Sequence, residues 1–186
     1  HVRLMGAVME VESKYRSPGN EKVEKALDKL GAELLSEDET EDVYFQHPGR
    51  DFGKTDEALR LRKKDGGSEL TYKGPRMKLE HTKAREEVTL RTDDPLTAQR
   101  IVERLGFKEF MSVHKRRKNF KYDKIRVAVD AVEGLGEYIE LELITEEPIR
   151  AEALIEQMRE ELALTELEPK TYLELILEKG VKNEKK

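Results

Sequence analysis

Glu10, Glu12 and Lys14 stand two residues apart in the run Glu10-Val11-Glu12-Ser13-Lys14. On an extended strand such residues share one face. Two carboxylates and an ammonium on one face suit a divalent cation held beside an anion. The same alternation recurs along the chain. Arg60 and Arg62 share a face, with Leu59 and Leu61 on the other. Lys83, Arg85 and Glu87 align, as do Lys115 and Arg117, Arg126 and Asp130, and Glu140 and Glu142. Lys73 adds a further cation. Opposite Glu140 and Glu142 stand Ile139, Leu141 and Leu143; opposite Asp130 stand Val127, Val129 and Ala131.

An antiparallel sheet with one face in water explains any one of these strands. Taken together they ask for more. The charged faces hold nine bases (Lys14, Arg60, Arg62, Lys73, Lys83, Arg85, Lys115, Arg117, Arg126) and six acids (Glu10, Glu12, Glu87, Asp130, Glu140, Glu142). That is a surplus of three positive charges in a chain of formal net charge −5, so the remainder carries about −8. The acids gather in the first and last strands and the bases lie between. A triphosphate with bound metal explains this order, because guanidinium forks and ammoniums match phosphate oxygens while clustered carboxylates hold Mg²⁺ or Mn²⁺. Curling the sheet into a barrel points the charged faces at a shared ligand and leaves the apolar faces for helices to cover.

The elements that must position these residues follow from periodicity. Residues 8–16 read as a strand, 17–20 as a turn with an N-cap candidate, and 21–30 as a helix stopped by Gly31. Residues 32–35 and 42–46 read as two short strands, and 47–57 as a polar, mobile loop that could close as a lid. Segments 58–64 and 69–73 flank Asp65-Gly66-Gly67 as a hairpin, and 83–91 is another strand. Asp93-Asp94-Pro95 opens a helix to about Leu105. Strands follow at 107–119, 124–132 and 137–144, then helices from Pro148 to about Leu164 and from Pro169 to Lys179. The expected class is α+β, one domain over residues 1–180 with a charged, frayed tail at 181–186. Met5 and Met9 are both candidate starts, with upstream residues before them.

Composition narrows the function. The 186 residues suffice for one real core, and 40% charged residues beside periodic apolar ones argue against disorder. The negative net charge argues against a nucleic-acid binder. Zero cysteines exclude disulfides and thiolate metal sites. No apolar stretch reaches the roughly 18 residues of a membrane span and no signal peptide is visible, so a cytoplasmic protein is expected. Abundant Lys, Arg and Glu without Cys hint at a thermophile. His1, His47, His81 and His114 lack ligand spacing for zinc, and His114 falls on the alternate face. Tyr44, Tyr72 and Tyr138 are read as core, although each could stack on a base.

The ordered motifs resemble the CYTH superfamily of triphosphate tunnel metalloenzymes. Glu10-Val11-Glu12-Ser13-Lys14 resembles its ExExK signature. Leu59-Arg60-Leu61-Arg62, Leu70-Thr71-Tyr72-Lys73-Gly74-Pro75, Arg85-Glu86-Glu87-Val88, His114-Lys115-Arg116-Arg117 and the stretch from Asp130 to Glu142 strengthen it, as does Thr171-Tyr172-Leu173-Glu174-Leu175. Asp51-Phe52 and the run from Thr55 to Arg60 are most similar to class IV adenylyl cyclases and their archaeal relatives. The resemblance implies an eight-stranded antiparallel closed barrel, or tunnel, with flanking helices. It implies Glu10, Glu12 and Glu140 as ligands of Mg²⁺ or Mn²⁺, with Glu142 and Asp130 close by. It assigns Lys14, Arg60, Arg62, Lys73, Arg85, Lys115 and Arg117 to phosphates. Asp130 is a base, a metal partner or a plain ion-pair partner; Lys14 would be a base only with a depressed pKa. Three functions stay open: adenylyl cyclase making cyclic AMP and pyrophosphate from ATP, hydrolase of thiamine triphosphate or tripolyphosphate, and non-catalytic triphosphate binder. Class IV cyclases also suggest a homodimer.

Overall fold

A computed structural model describes residues 8–184, with side chains described to residue 180. Nine strands form one sheet: β1 (Met9–Arg16), β2 (Glu33–Gln46), β3 (Ala58–Lys64), β4 (Gly67–Lys73), β5 (Met77–Lys78), β6 (Lys83–Thr92), β7 (Lys108–Tyr122), β8 (Ile125–Val132) and β9 (Gly136–Thr145). The order is β1-β9-β8-β7-β2-β3-β4-β6, and β6 pairs back onto β1 to close an eight-stranded antiparallel barrel. The two-residue β5 extends the β6 edge beyond the end of β4. The closing pairs set Glu10 against Arg85 and Glu12 against Lys83. Beyond them the β1 edge is covered by the segment before the last helix: Arg16 N–H donates to Glu166 O at 2.8 Å and Glu168 N–H to Lys14 O at 2.8 Å.

Helices α1 (Asn20–Leu30), α2 (Phe52–Thr55), α3 (Pro95–Arg104), α4 (Pro148–Glu161) and α5 (Tyr172–Glu184) complete the chain. The alternation works as expected. The outward residues Val11, Val127, Val129, Ile139, Leu141 and Leu143 bury against Val23 and Leu27 of α1 and Ala151, Ile155 and Met158 of α4. Val43, Phe45 and Leu61 bury against Ala98 and Val102 of α3. A third cluster lies on the inward side. Val113, Val132 and Tyr138 pack with Tyr172, and Tyr44, Leu175 and Ile176 join them. The interior therefore turns apolar at this level and α5 lies across it. No described helix is long and apolar enough to cross a membrane.

Several boundaries differ for physical reasons. The two short strands expected at 32–35 and 42–46 are one strand, paired to β7 over its length with a register shift between Leu34 and Ser36. The middle stretch is polar on both faces and is held by ladder hydrogen bonds, so periodicity does not mark it. Within 47–57, Asp51 accepts from Gly53 N–H and caps a four-residue helical turn, too short to show a 3.6-residue pattern. The cap of α1 is Gly19 without a side-chain bond; Asn20 is already helical, and its amide donates to Asp130 O at 3.0 Å. Helix α4 stops at Glu161 because Ala163 turns left-handed (φ 52°). Helix α5 starts after Pro169 and its backbone runs to Glu184, through the start of the expected frayed tail. Residues 1–7, with His1 and Met5, and residues 185–186 lie outside the described residues.

Candidate functional site

The barrel interior is a cavity of about 810 Å³. Strand after strand delivers charge into it: Glu10, Glu12 and Lys14 from β1, Arg60 and Arg62 from β3, Lys73 from β4, Arg85 from β6, Lys115 and Arg117 from β7, Glu140 and Glu142 from β9. These are eleven of the twelve residues expected from the sequence. The twelfth, Asp130, has no exposed surface and does not line the cavity. Its carboxylate accepts from Arg117 at 2.6 and 2.7 Å and from the Tyr172 hydroxyl at 2.7 Å.

The carboxylates divide into two groups. Glu10, Glu12 and Glu142 bring one oxygen each to within 4.8 Å of one another. Burial pushes the Glu10 carboxyl well above the ordinary value, and the neighbouring Glu142 charge pushes the same way. Burial also raises Glu142, with Glu140 and Glu12 adding to it. Burial alone would raise Glu12 as well, but Lys83 Nζ at 2.9 Å holds it at about 2. Three hard oxygen donors in mutual repulsion fit a divalent cation of the Mg²⁺ or Mn²⁺ type. Glu140 is engaged elsewhere. It pairs with Arg117 and lies 3.4 Å from Lys14 Nζ. Those two cations hold it well below the usual carboxylate range despite burial.

The cations also divide. Arg62 forks onto Asp42 at 2.6 and 2.8 Å, and Arg117 forks onto Asp130. Lys115 Nζ sits between the two aspartates, 3.4 Å from Asp42 and 3.9 Å from Asp130. By contrast, the buried Nε atoms of Arg60 and Arg85 have no hydrogen-bond partner among the described residues. Both residues are more than nine-tenths buried. A buried guanidinium with an unmet donor is costly, so an anion on those donors supplies what the protein omits. Burial and the Arg117 and Arg62 charges depress the Lys115 ammonium to about 8. A lysine depressed in the fold binds fewer protons than its unfolded counterpart between that value and 10.5, so unfolding free energy should rise as pH climbs from 8. Urea titrations from pH 7.5 to 9.5 should show this slope, and Lys115→Met should reduce it, leaving the contribution of Lys14, which burial also depresses. Above 10, the raised Tyr44 and Tyr172 phenols act in the opposite direction.

Three site residues escaped the sequence reading. Asp42 is 1% exposed and gathers Arg62, Lys115 and, at 3.9 Å, Arg60 around one carboxylate. Its signal was present in the alternation of Thr40, Asp42 and Tyr44 with buried Val43 and Phe45. The Tyr172 ring lies 4.1 Å from Lys14 Nζ and 5.0 Å from Lys115 Nζ. Arg76 joins two elements at the cavity edge. Tyr44, read as core, lines the cavity as well as packing on the third cluster, whereas Tyr138 is core. Tyr72 donates to Glu57 at 2.7 Å. His114 is exposed on the outer face.

The model of the CYTH domain matches residues 9–174. The chain belongs to the CYTH domain family. A Methanocaldococcus jannaschii relative, named as a candidate adenylate cyclase, is 37% identical over 173 residues, which is 90% of this chain and 98% of that protein. The adenylate cyclase CyaB of Aeromonas hydrophila is 29% identical over 82% of this chain and 76% of its own length. A solved Pyrococcus horikoshii structure superposes with TM-score 0.79 at 35% identity, covering 91% of this chain and 99% of that one. A Hippeastrum structure, described as a candidate adenylyl cyclase with a dominant triphosphatase activity, shares the fold at TM-score 0.68 and 20% identity, covering 90% and 94%.

Proposed function

We propose that this CYTH chain is a divalent-metal-dependent enzyme that processes triphosphates, of the adenylyl cyclase type, converting ATP to cyclic AMP and pyrophosphate. The carrying observation is the meeting of two donor sets in one cavity: buried Arg60 and Arg85, whose Nε donors have no hydrogen-bond partner among the described residues, beside the Glu10–Glu12–Glu142 carboxylates. A pure anion binder has no use for three repelling carboxylates. The cavity of about 810 Å³ falls in the range of small-molecule sites, roughly 300–1,000 Å³, and is roomy for a bare tripolyphosphate. The names of the M. jannaschii and A. hydrophila relatives support the cyclase type.

Glu10, Glu12 and Glu142 would hold Mg²⁺ or Mn²⁺, with Glu140 behind them. When bound, such an ion neutralises phosphate charge and acidifies an attacking oxygen. Arg60, Arg85, Lys73, Lys14 and Lys115 grip the phosphate chain. Arg62 and Arg117 act from their aspartate forks, fixing the shape of the cationic wall. In the cyclase reaction the ribose 3′-oxygen bonds to the α-phosphorus as the bond to the bridging oxygen of the β-phosphate breaks, pyrophosphate leaves, and the 3′-hydroxyl proton passes to solvent water. Positioning and a preorganised positive wall supply most of the acceleration. Asp130, sealed behind Arg117, anchors that wall instead of taking a proton. The same wall can serve a hydrolase of thiamine triphosphate or tripolyphosphate, with water as nucleophile.

Product analysis separates the two. ATP, thiamine triphosphate and tripolyphosphate are each incubated with the protein and Mg²⁺ or Mn²⁺. Cyclic AMP with pyrophosphate is expected from ATP. Phosphate release without cyclic AMP would replace cyclase by triphosphatase.

A further inference from the structure

Arg76 lies in the connection between β4 and β5 and touches none of the cavity cations, yet it ties two elements that border the cavity. Its backbone N–H donates to Asp56 Oδ2 at 2.7 Å and its Nε to Asp56 Oδ1 at 2.8 Å. The other edge of the guanidinium reaches both oxygens of Glu174, at 2.8 and 3.1 Å. Asp56 ends α2 in the left-handed region (φ 57°), a conformation that a non-glycine residue keeps only when its surroundings fix it. Glu174 and Thr171 form a capping box: Thr171 N–H donates to Glu174 Oε2 at 2.6 Å, and Glu174 N–H to Thr171 Oγ1 at 3.2 Å. Between those two residues comes Tyr172, whose ring faces the Lys14 and Lys115 ammoniums and whose hydroxyl reaches Asp130.

An isolated, exposed Arg–carboxylate pair would mean little, worth about 0–1 kcal/mol. This one is different in kind. Both carboxylates are gripped bidentately by one planar fork, and each also organises backbone, Asp56 at the end of α2 and Glu174 at the start of α5. Arg76 is thus the link between the β4–β5 connection and the turn that aims Tyr172. Glu174 carries two loads at once, since its carboxylate both receives the guanidinium and closes the capping box. Loosening the guanidinium loosens the first turn of α5.

We propose that Arg76 is a positioning residue for the triphosphate site: by clamping Asp56 and Glu174 it fixes the first turn of α5, so that the Tyr172 ring holds the Lys14 and Lys115 ammoniums toward bound phosphate. A ring over an ammonium favours the charged form and restricts its position. The proposal rests on the triphosphate reading for its ligand and on the Arg76 contacts for its mechanism.

The test is calorimetric binding of inorganic tripolyphosphate with Mg²⁺ to wild type, Arg76→Ala, Tyr172→Leu and the double variant. Arg76→Ala should weaken binding roughly tenfold. Tyr172→Leu should weaken it at least as much, and the double variant should be no weaker than Tyr172→Leu alone, since both act through one ring. Glu174→Gln, which opens the clamp from its other end, should show the Arg76→Ala loss. Full affinity in Arg76→Ala or in Glu174→Gln, or losses that simply add, would overturn the proposal. A wild type that does not bind tripolyphosphate would sink the triphosphate reading instead. The clamp is then judged on near-ultraviolet circular dichroism, which reports tyrosine packing in a chain with six Tyr and no Trp. There Arg76→Ala should change the spectrum as Tyr172→Leu does, and an unchanged spectrum would overturn the clamp.

Discussion

Glu12→Gln should lower metal-dependent turnover by at least about three orders of magnitude, a loss of about 4 kcal/mol of transition-state stabilisation, while leaving the barrel folded. Glu12 stands at the centre of the site. It lies 2.9 Å from Lys83, opposite Glu142 in the β1–β9 register, and within the 4.8 Å carboxylate cluster. Because Lys83 holds the Glu12 carboxyl at about 2, neutralising it gives up part of that pairing as well as a ligand, so stability should fall modestly while activity falls by orders of magnitude. Glu12→Ala should lose turnover equally, with some stability lost as Lys83 goes unpaired. Steady-state rates with Mg²⁺ and Mn²⁺, beside a urea unfolding curve, read both quantities. Retained metal-dependent activity in Glu12→Gln would refute the metal role of the cluster.

Asp130→Ala should act in the opposite sense, mainly on the fold. The substitution strips the partner from the Arg117 fork, removes the acceptor of Tyr172, and takes a carboxylate away from Lys115. Breaking a buried pair by removing one partner typically costs about 3–5 kcal/mol, because the other charge stays behind without solvent. The urea midpoint should fall accordingly. Asp130→Asn keeps an acceptor and the volume, so it should fall less and retain turnover. A variant with unchanged stability and no turnover would instead make Asp130 a reacting group.

The contrast between Glu12 and Asp130 also shows where sequence patterning carries information. Alternation alone placed both on charged faces and suggested a sheet curled with those faces inward and apolar residues such as Leu141 and Val127 outward, whereas the closed eight-stranded barrel was implied by the resemblance to the CYTH superfamily. What alternation does not encode is depth. Asp130 sits behind Arg117 because Tyr172, 42 residues away, folds over it from α5. That contact depends on the path of the chain after α4, which no local period reports. Asp42 was lost for a related reason. The polar stretch before it hides the continuity of β2, so the strand seemed to begin at Asp42 itself. Arg76 was lost because its partners lie on a four-residue helical turn and at a helix cap, features set by single side-chain bonds. The division of labour among arginines, with Arg62 and Arg117 committed to aspartates and Arg60 and Arg85 holding unmet donors, is a property of distances and not of spacing.

The central claim is that this interior binds a triphosphate, and calorimetric titration of wild type with tripolyphosphate, with and without Mg²⁺, tests it most directly. One saturable site per chain is expected, tighter with Mg²⁺ and abolished in the Arg60→Ala/Arg85→Ala double variant. No binding to the folded wild type, or binding that survives the loss of both arginines, would contradict it.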